Sequence, residues 1–177
     1  MAGSNFALLE NWQRGISKTS NTPCVFISHK KEDEEAAIQI GKYLTDIADI
    51  NIYLDINDFE LKEAVSLEND EKIVDSIKKG LECSTHLLCL ISDKTRLSWW
   101  VPYEIGFAEN EDIDITSLKL KNVDDIPSYL KIRRSIFKKE DFYKYICEIK
   151  PLAKYYYREN YNTLTSADNS IIEKYID

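Results

Sequence analysis

Three short apolar runs constrain this chain more than any other feature: "CVFIS" at 24–28, "NIYLD" at 51–55 and "THLLCLIS" at 85–92. Successive side chains of a strand point to opposite faces, so a strand that is apolar at consecutive positions has to be covered on both sides. Each run also stops at a polar loop. "CVFIS" ends at His29-Lys30-Lys31, and "KEDEEAAIQIGKYLTDIA" then sets Ala37, Ile40, Leu44 and Ile47 at helical spacing behind an acidic first turn. After "NIYLD" comes a long polar connection, "INDFELKEAVSLEND", and then "EKIVDSIKKGLE", which puts Ile73, Val74, Ile77 and Leu81 on one helical face. "DIDITSLKL" reads as a fourth strand and "YLKIRRSIF" as a weaker fifth. Alternating strands and helices predict an α/β fold, a doubly wound and mostly parallel five-stranded sheet with helices on both faces.

The ends read differently from this middle. Phe6, Leu8, Leu9 and Trp12 suffice for one short helix docked on the core. The tail "KKEDFYKYICEIKPLAKYYYREN" fits a helix interrupted at Pro151, with Tyr155, Tyr156 and Tyr157 as packing or interface surface. The expected organisation is an N-terminal helical extension over 1–20, the α/β domain over 21–137 and a C-terminal helical extension over 138–177.

With 23 basic against 31 acidic residues, the net charge of -8 disfavours nucleic acid as a primary partner. Four cysteines form no CxxC pair, and three sit inside apolar runs as small hydrophobes, which points to a reducing, cytoplasmic setting without metal. No apolar segment approaches the roughly 20 residues of a spanning helix, and the N-terminus lacks the pattern of a signal peptide, so no membrane association is expected.

Ligands of open doubly wound sheets bind outside the carboxyl ends of the strands, where strand order reverses. Three stretches lie at such ends. Ser28, His29, Lys30 and Lys31 form either a solvated turn or a set of donors for an anion. The loop with Asp55, Asp58 and Glu60 is either an exposed acidic connection or a functional loop. In "SWWVPYEIGFAEN", Ser98 can cap a helix and Pro102 is tolerated only in its first turn, so the helix starts near Trp99 or Trp100. Residues four apart share a face, which sets the Trp100 ring near Glu104. Otherwise Trp100 is core and Glu104 an ordinary solvated glutamate.

In order and spacing, "CVFISHKKED", "LDINDFE", "DSIKKGLECSTHLLCLIS" and "SWWVPYEIGFA" resemble a bacterial Toll/interleukin-1 receptor (TIR) domain, a flavodoxin-like fold, over roughly 21–137. The resemblance implies an enzyme that cleaves the bond between nicotinamide and ribose in NAD, with NAD as substrate and no cofactor. It makes Glu104 the catalytic glutamate, sets Trp100 beside the nicotinamide, and matches Lys30, Lys31 and Glu60 to dinucleotide-contacting positions. Ser28, His29 and Asp55 are further pocket-lining candidates. It also implies self-association into a homo-oligomer through the long loop, the family's BB loop. The chain further resembles the stand-alone TIR component of Thoeris antiphage defence, which makes an ADP-ribose-derived messenger, cyclic or conjugated, for a separate effector. The alternatives are a non-catalytic TIR scaffold and an NAD-depleting toxin. A phosphoacceptor receiver domain using Asp55 is disfavoured, because "SHKK" stands where an acidic pair belongs.

Overall fold

In a computed structural model, residues 2–8, 22–54, 70–150, 161–165 and 170–177 are described. Five strands form one sheet: β1 (Cys24–Ser28), β2 (Asn51–Tyr53), β3 (His86–Ile91), β4 (Asp114–Lys119) and β5 (Arg134–Ile136). Their order is β2-β1-β3-β4-β5 and every pair is parallel. The helices are α1 (Glu34–Lys42), α2 (Asp70–Glu82), α3 (Trp100–Asn110), α4 (Ser128–Lys131), α5 (Lys139–Ile149) and α6 (Ser170–Tyr175), with a helical turn at 161–165. This is the expected flavodoxin-like α/β architecture, with the sheet wholly rather than mostly parallel. Among the described residues, no helix is long and apolar enough to cross a membrane.

The apolar runs behave as their composition demands. All of β1 and all of β3 after His86 are buried, and so is the inner stripe of each major helix. The reversal of strand order falls at β1, with β2 on one side and β3 on the other. The carboxyl ends of β1 and β3 therefore flank the crevice where such sheets bind ligands.

Local physics shifted several expected details. Ile47 is exposed rather than core, because the chain after α1 widens into a π-helical turn over Tyr43–Ile47, closed by the Ala48 amide donating to the Tyr43 carbonyl. The i to i+5 bond adds a residue to the turn and rotates Ile47 outward. On α2, Ser76 and Gly80 share the buried face with Ile73, Ile77 and Leu81, while Val74 is only half-buried. "YLKIRRSIF" is only partly a strand. Its start lies in α4, anchored by buried Leu130, and β5 is confined to Arg134–Ile136.

At the N-terminus, Phe6 packs on the core and Ala7 is buried, but Leu8 points to solvent. Ser4 and Asn5, just before the 3-10 turn Phe6–Leu8, cap the open edge of β2. The Ile52 amide donates to the Ser4 carbonyl and the Leu54 amide to Asn5 Oδ1, so that edge is not left as a template for another strand. Helix α5 ends at Ile149, ahead of Pro151, whereas Leu9, Trp12 and Tyr155 to Tyr157 lie outside the described residues. The last turn clasps the domain. The Lys139 amide donates to the Asp177 carbonyl, and Glu35 on α1 accepts from Lys174 Nζ at 2.8 Å and the Tyr175 hydroxyl at 3.0 Å.

Two helical glycines give opposite expectations. A Cβ on Gly80 would overlap the buried Tyr53 ring, with Cδ1 at 2.8 Å, and that ring is stacked on Phe26. Gly106 has nothing within 4 Å of such an atom. In urea unfolding, Gly80→Ala is expected to lose about 1–3 kcal/mol by overpacking, whereas Gly106→Ala gains about 0.5–1 kcal/mol of helix propensity. Equal shifts would contradict the packing of α2 against β2.

Candidate active site

The carboxyl end of β1 delivers Ser28, which is 1% exposed and sits opposite Cys89 in the β1–β3 register. From the other direction, α3 delivers Glu104, which is 3% exposed. The Ser28 hydroxyl donates to Glu104 Oε2 at 2.5 Å, within the range of a short, charge-assisted O–H···O bond. A buried carboxyl group without a donor is costly, and this contact offsets part of that cost for Glu104.

Helix α3 reaches this position through local chemistry that is visible in the sequence. The Ser98 hydroxyl accepts the Val101 amide at 3.2 Å, the helix begins at Trp100, and Pro102 lies in the first turn, where its missing N–H costs nothing. The loop before it is braced from within. The Ser92 amide donates to buried Thr95 Oγ1 at 2.9 Å, and the Ser92 hydroxyl donates to Asp33 Oδ2 at 2.6 Å. That last bond fastens the loop after β3 to the start of α1, so two of the three expected loops are tied together.

Trp100 and Glu104 lie one turn apart on this unbroken helix, so Pro102 does not separate their faces. Trp100 is half-buried and meets Tyr103 edge-on, with ring centroids 6.3 Å apart. Its neighbour Trp99 is 91% exposed and Leu97 68% exposed, an uncovered apolar rim at the entrance to α3.

The remaining sequence candidates divide by position. His29 is half-buried, with Nδ1 3.2 Å from the Ile27 carbonyl oxygen. Lys30 pairs with Glu32 at 3.2 Å, and Lys31 is exposed at the start of the 3-10 turn leading into α1. All three follow β1 directly and so sit at the same end of the sheet as Ser28. Asp55 and Glu60 lie outside the described residues. No cluster of His, Cys, Asp and Glu among the described residues could hold a metal ion.

Two neighbours escaped the sequence reading. The Cys89 thiol is pushed up to about 12, first by burial and then by the Glu104 charge, so it stays protonated and inert at neutral pH. Its apolar run "LLCLI" offered no sign of a polar neighbour. Tyr129 on α4 has a buried hydroxyl with no hydrogen-bond partner among the described residues, and burial above all raises its pKa. A four-residue helix has too little periodicity to announce such a side chain. Together Ser28, Cys89 and Glu104 form a small buried polar cluster at the switch point, one helical turn along α3 from Trp100.

A family model described as Thoeris protein ThsB, TIR-like domain matches residues 26–125, more than half of the chain. No curated protein matches. The matched span contains Ser28, the loop lysines, Cys89, Trp100 and Glu104 and ends before Tyr129.

A buried glutamate kept for function should not be needed for stability. Glu104→Gln retains an oxygen for Ser28 and removes a buried charge, so its urea unfolding free energy is expected to stay within about 1 kcal/mol of wild type or to rise. A loss above about 3 kcal/mol would instead mark Glu104 as a structural tie.

Proposed function

Because the chain belongs to the TIR-like family of the Thoeris protein ThsB, we propose that it is an enzyme that breaks the N-glycosidic bond between nicotinamide and ribose in NAD. The observation that carries this reading is the buried Glu104 carboxyl group, held by Ser28 at the strand-order switch point.

Nicotinamide in NAD is already cationic. It leaves with the bonding electron pair as a neutral molecule, so no general acid is needed, and positive charge builds on the ribose as an oxocarbenium-like centre. A fixed carboxylate below the sugar stabilises that charge and accepts hydrogen bonds from ribose hydroxyls, as in glycoside hydrolysis. The half-buried Trp100 ring supplies an apolar face for a planar heterocycle and helps to exclude water. Lys30 and Lys31 give an otherwise acidic protein a cationic approach for the diphosphate, next to the start of α1.

The nucleophile that meets the ribose determines the product. Water yields ADP-ribose and a proton, the adenine of the same molecule yields a cyclic isomer, and another nucleophile yields a conjugate. In our reading the product is a cyclic or conjugated ADP-ribose derivative that diffuses to a separate effector in antiphage defence. We also assign the active form to a homo-oligomer assembled through the loop after Asp55. The exposed Trp99 and Leu97 favour a second copy closing the site, since an apolar rim this open is better covered than left in water.

Three measurements test the reading. Assembled protein incubated with NAD is expected to release nicotinamide, and Glu104→Gln should lower the rate at least about 100-fold, as removal of a transition-state charge partner does. Equal rates would remove the enzymatic assignment. Trp100→Ala should weaken turnover with the fold retained, and an active variant that unfolds far more easily would make Trp100 core packing. Mass spectrometry of the products should show an ADP-ribose derivative other than ADP-ribose itself, and its absence under activating conditions would favour simple NAD depletion.

A further inference from the structure

We propose that Ser28 is a positioning residue for Glu104 rather than a substrate contact: its hydroxyl holds one carboxylate oxygen, Oε2, and so fixes which oxygen is presented to the ribose. The consequence for turnover rests on the NAD-cleaving reading above, but the contact itself does not.

Three observations lead there. A serine hydroxyl has a single proton to donate, and here it is directed at Glu104 Oε2 at 2.5 Å, leaving none to offer a ligand. Ser28 is 1% exposed, so it lacks the open surface of a group that meets a dinucleotide, unlike Lys30 and Lys31 beside it. Its other neighbour in the sheet is Cys89, a buried thiol held protonated, which cannot replace it as a strong donor. Glu104 approaches on a helix and Ser28 on a strand, 76 residues earlier in the chain. The bond therefore locks α3 to the β1 edge at the point where the carboxylate is used. Rigid elements supply both partners, which is how a site is held to a fraction of an ångström.

Loss of the hydroxyl should act on Glu104 in two ways. The carboxylate loses the restraint on Oε2, and a misplacement of about 1 Å can cost about 100-fold in rate. Its charged form also loses a donor that favours it, which moves its titration upward.

The test compares wild type with Ser28→Ala, and with Ser28→Cys in case the smaller side chain prevents folding. Glutamate carrying a 13C-labelled side-chain carboxyl is titrated by NMR, with Glu104→Gln identifying the signal, and nicotinamide release is followed against pH. In Ser28→Ala the Glu104 midpoint should rise by about one unit, and Ser28→Cys, with its weak donor, should fall between. At the pH optimum kcat should drop about 10- to 100-fold with KM within about threefold, and the acid limb of the rate profile should move up with the midpoint. An unchanged midpoint overturns the proposal. So does a raised KM with unchanged kcat and acid limb, because that identifies a direct substrate contact. If wild type releases no nicotinamide, the enzymatic reading fails, while the NMR titration still decides whether Ser28 holds Glu104.

Discussion

The parallel pairing of β1 with β3 is the constraint on which the crevice depends. It puts Ser28 opposite Cys89 at the carboxyl edge of the sheet, and it makes β1 the strand at which the order reverses. A slip of one residue would turn Ser28 to the other face and leave Glu104 buried without this donor. The same strand end thus brings a buried hydroxyl to a buried carboxyl group on one side and to a buried thiol on the neighbouring strand. Ser28 donates to Glu104, and burial together with the Glu104 charge keeps Cys89 protonated.

Around that edge the structure spends most of its polar contacts on holding loops. The Ser92 bond to Asp33 joins the start of the loop after β3 to the start of α1, Thr95 closes that loop from within, and Ser98 starts α3 on time. The clasp of α6 onto Glu35 steadies α1 from the far side. Each bond is worth little alone, on the order of 1 kcal/mol. Collectively they place a helix and a strand end against each other, and this placement is what makes Glu104 a candidate site.

Much of the fold could be read from residues alone, because its cause is local. Apolar runs such as "CVFIS" admit few environments, and Ser98 with Pro102 marks where α3 must begin. Glu104 stood out through its spacing from Trp100 and through a family resemblance. What stayed hidden is tertiary. Nothing in "CVFIS" says that its last residue reaches across to a glutamate 76 positions later, and nothing in "LLCLI" says that Cys89 neighbours a carboxylate. Ile47 was misplaced because a π-helical turn breaks the period on which helical reading rests. Tyr129 lies on a helix of one turn, where spacing carries no information.

In the proposed reaction one carboxylate, without an acid partner, is sufficient for the bond to break. The pH dependence of kcat for nicotinamide release by the assembled wild-type protein tests it most directly. A single rise to a plateau is expected, absent from Glu104→Gln, with no descending limb at higher pH. A bell-shaped profile would reveal a required acid, and a wild-type profile in Glu104→Gln would place the chemistry on another residue.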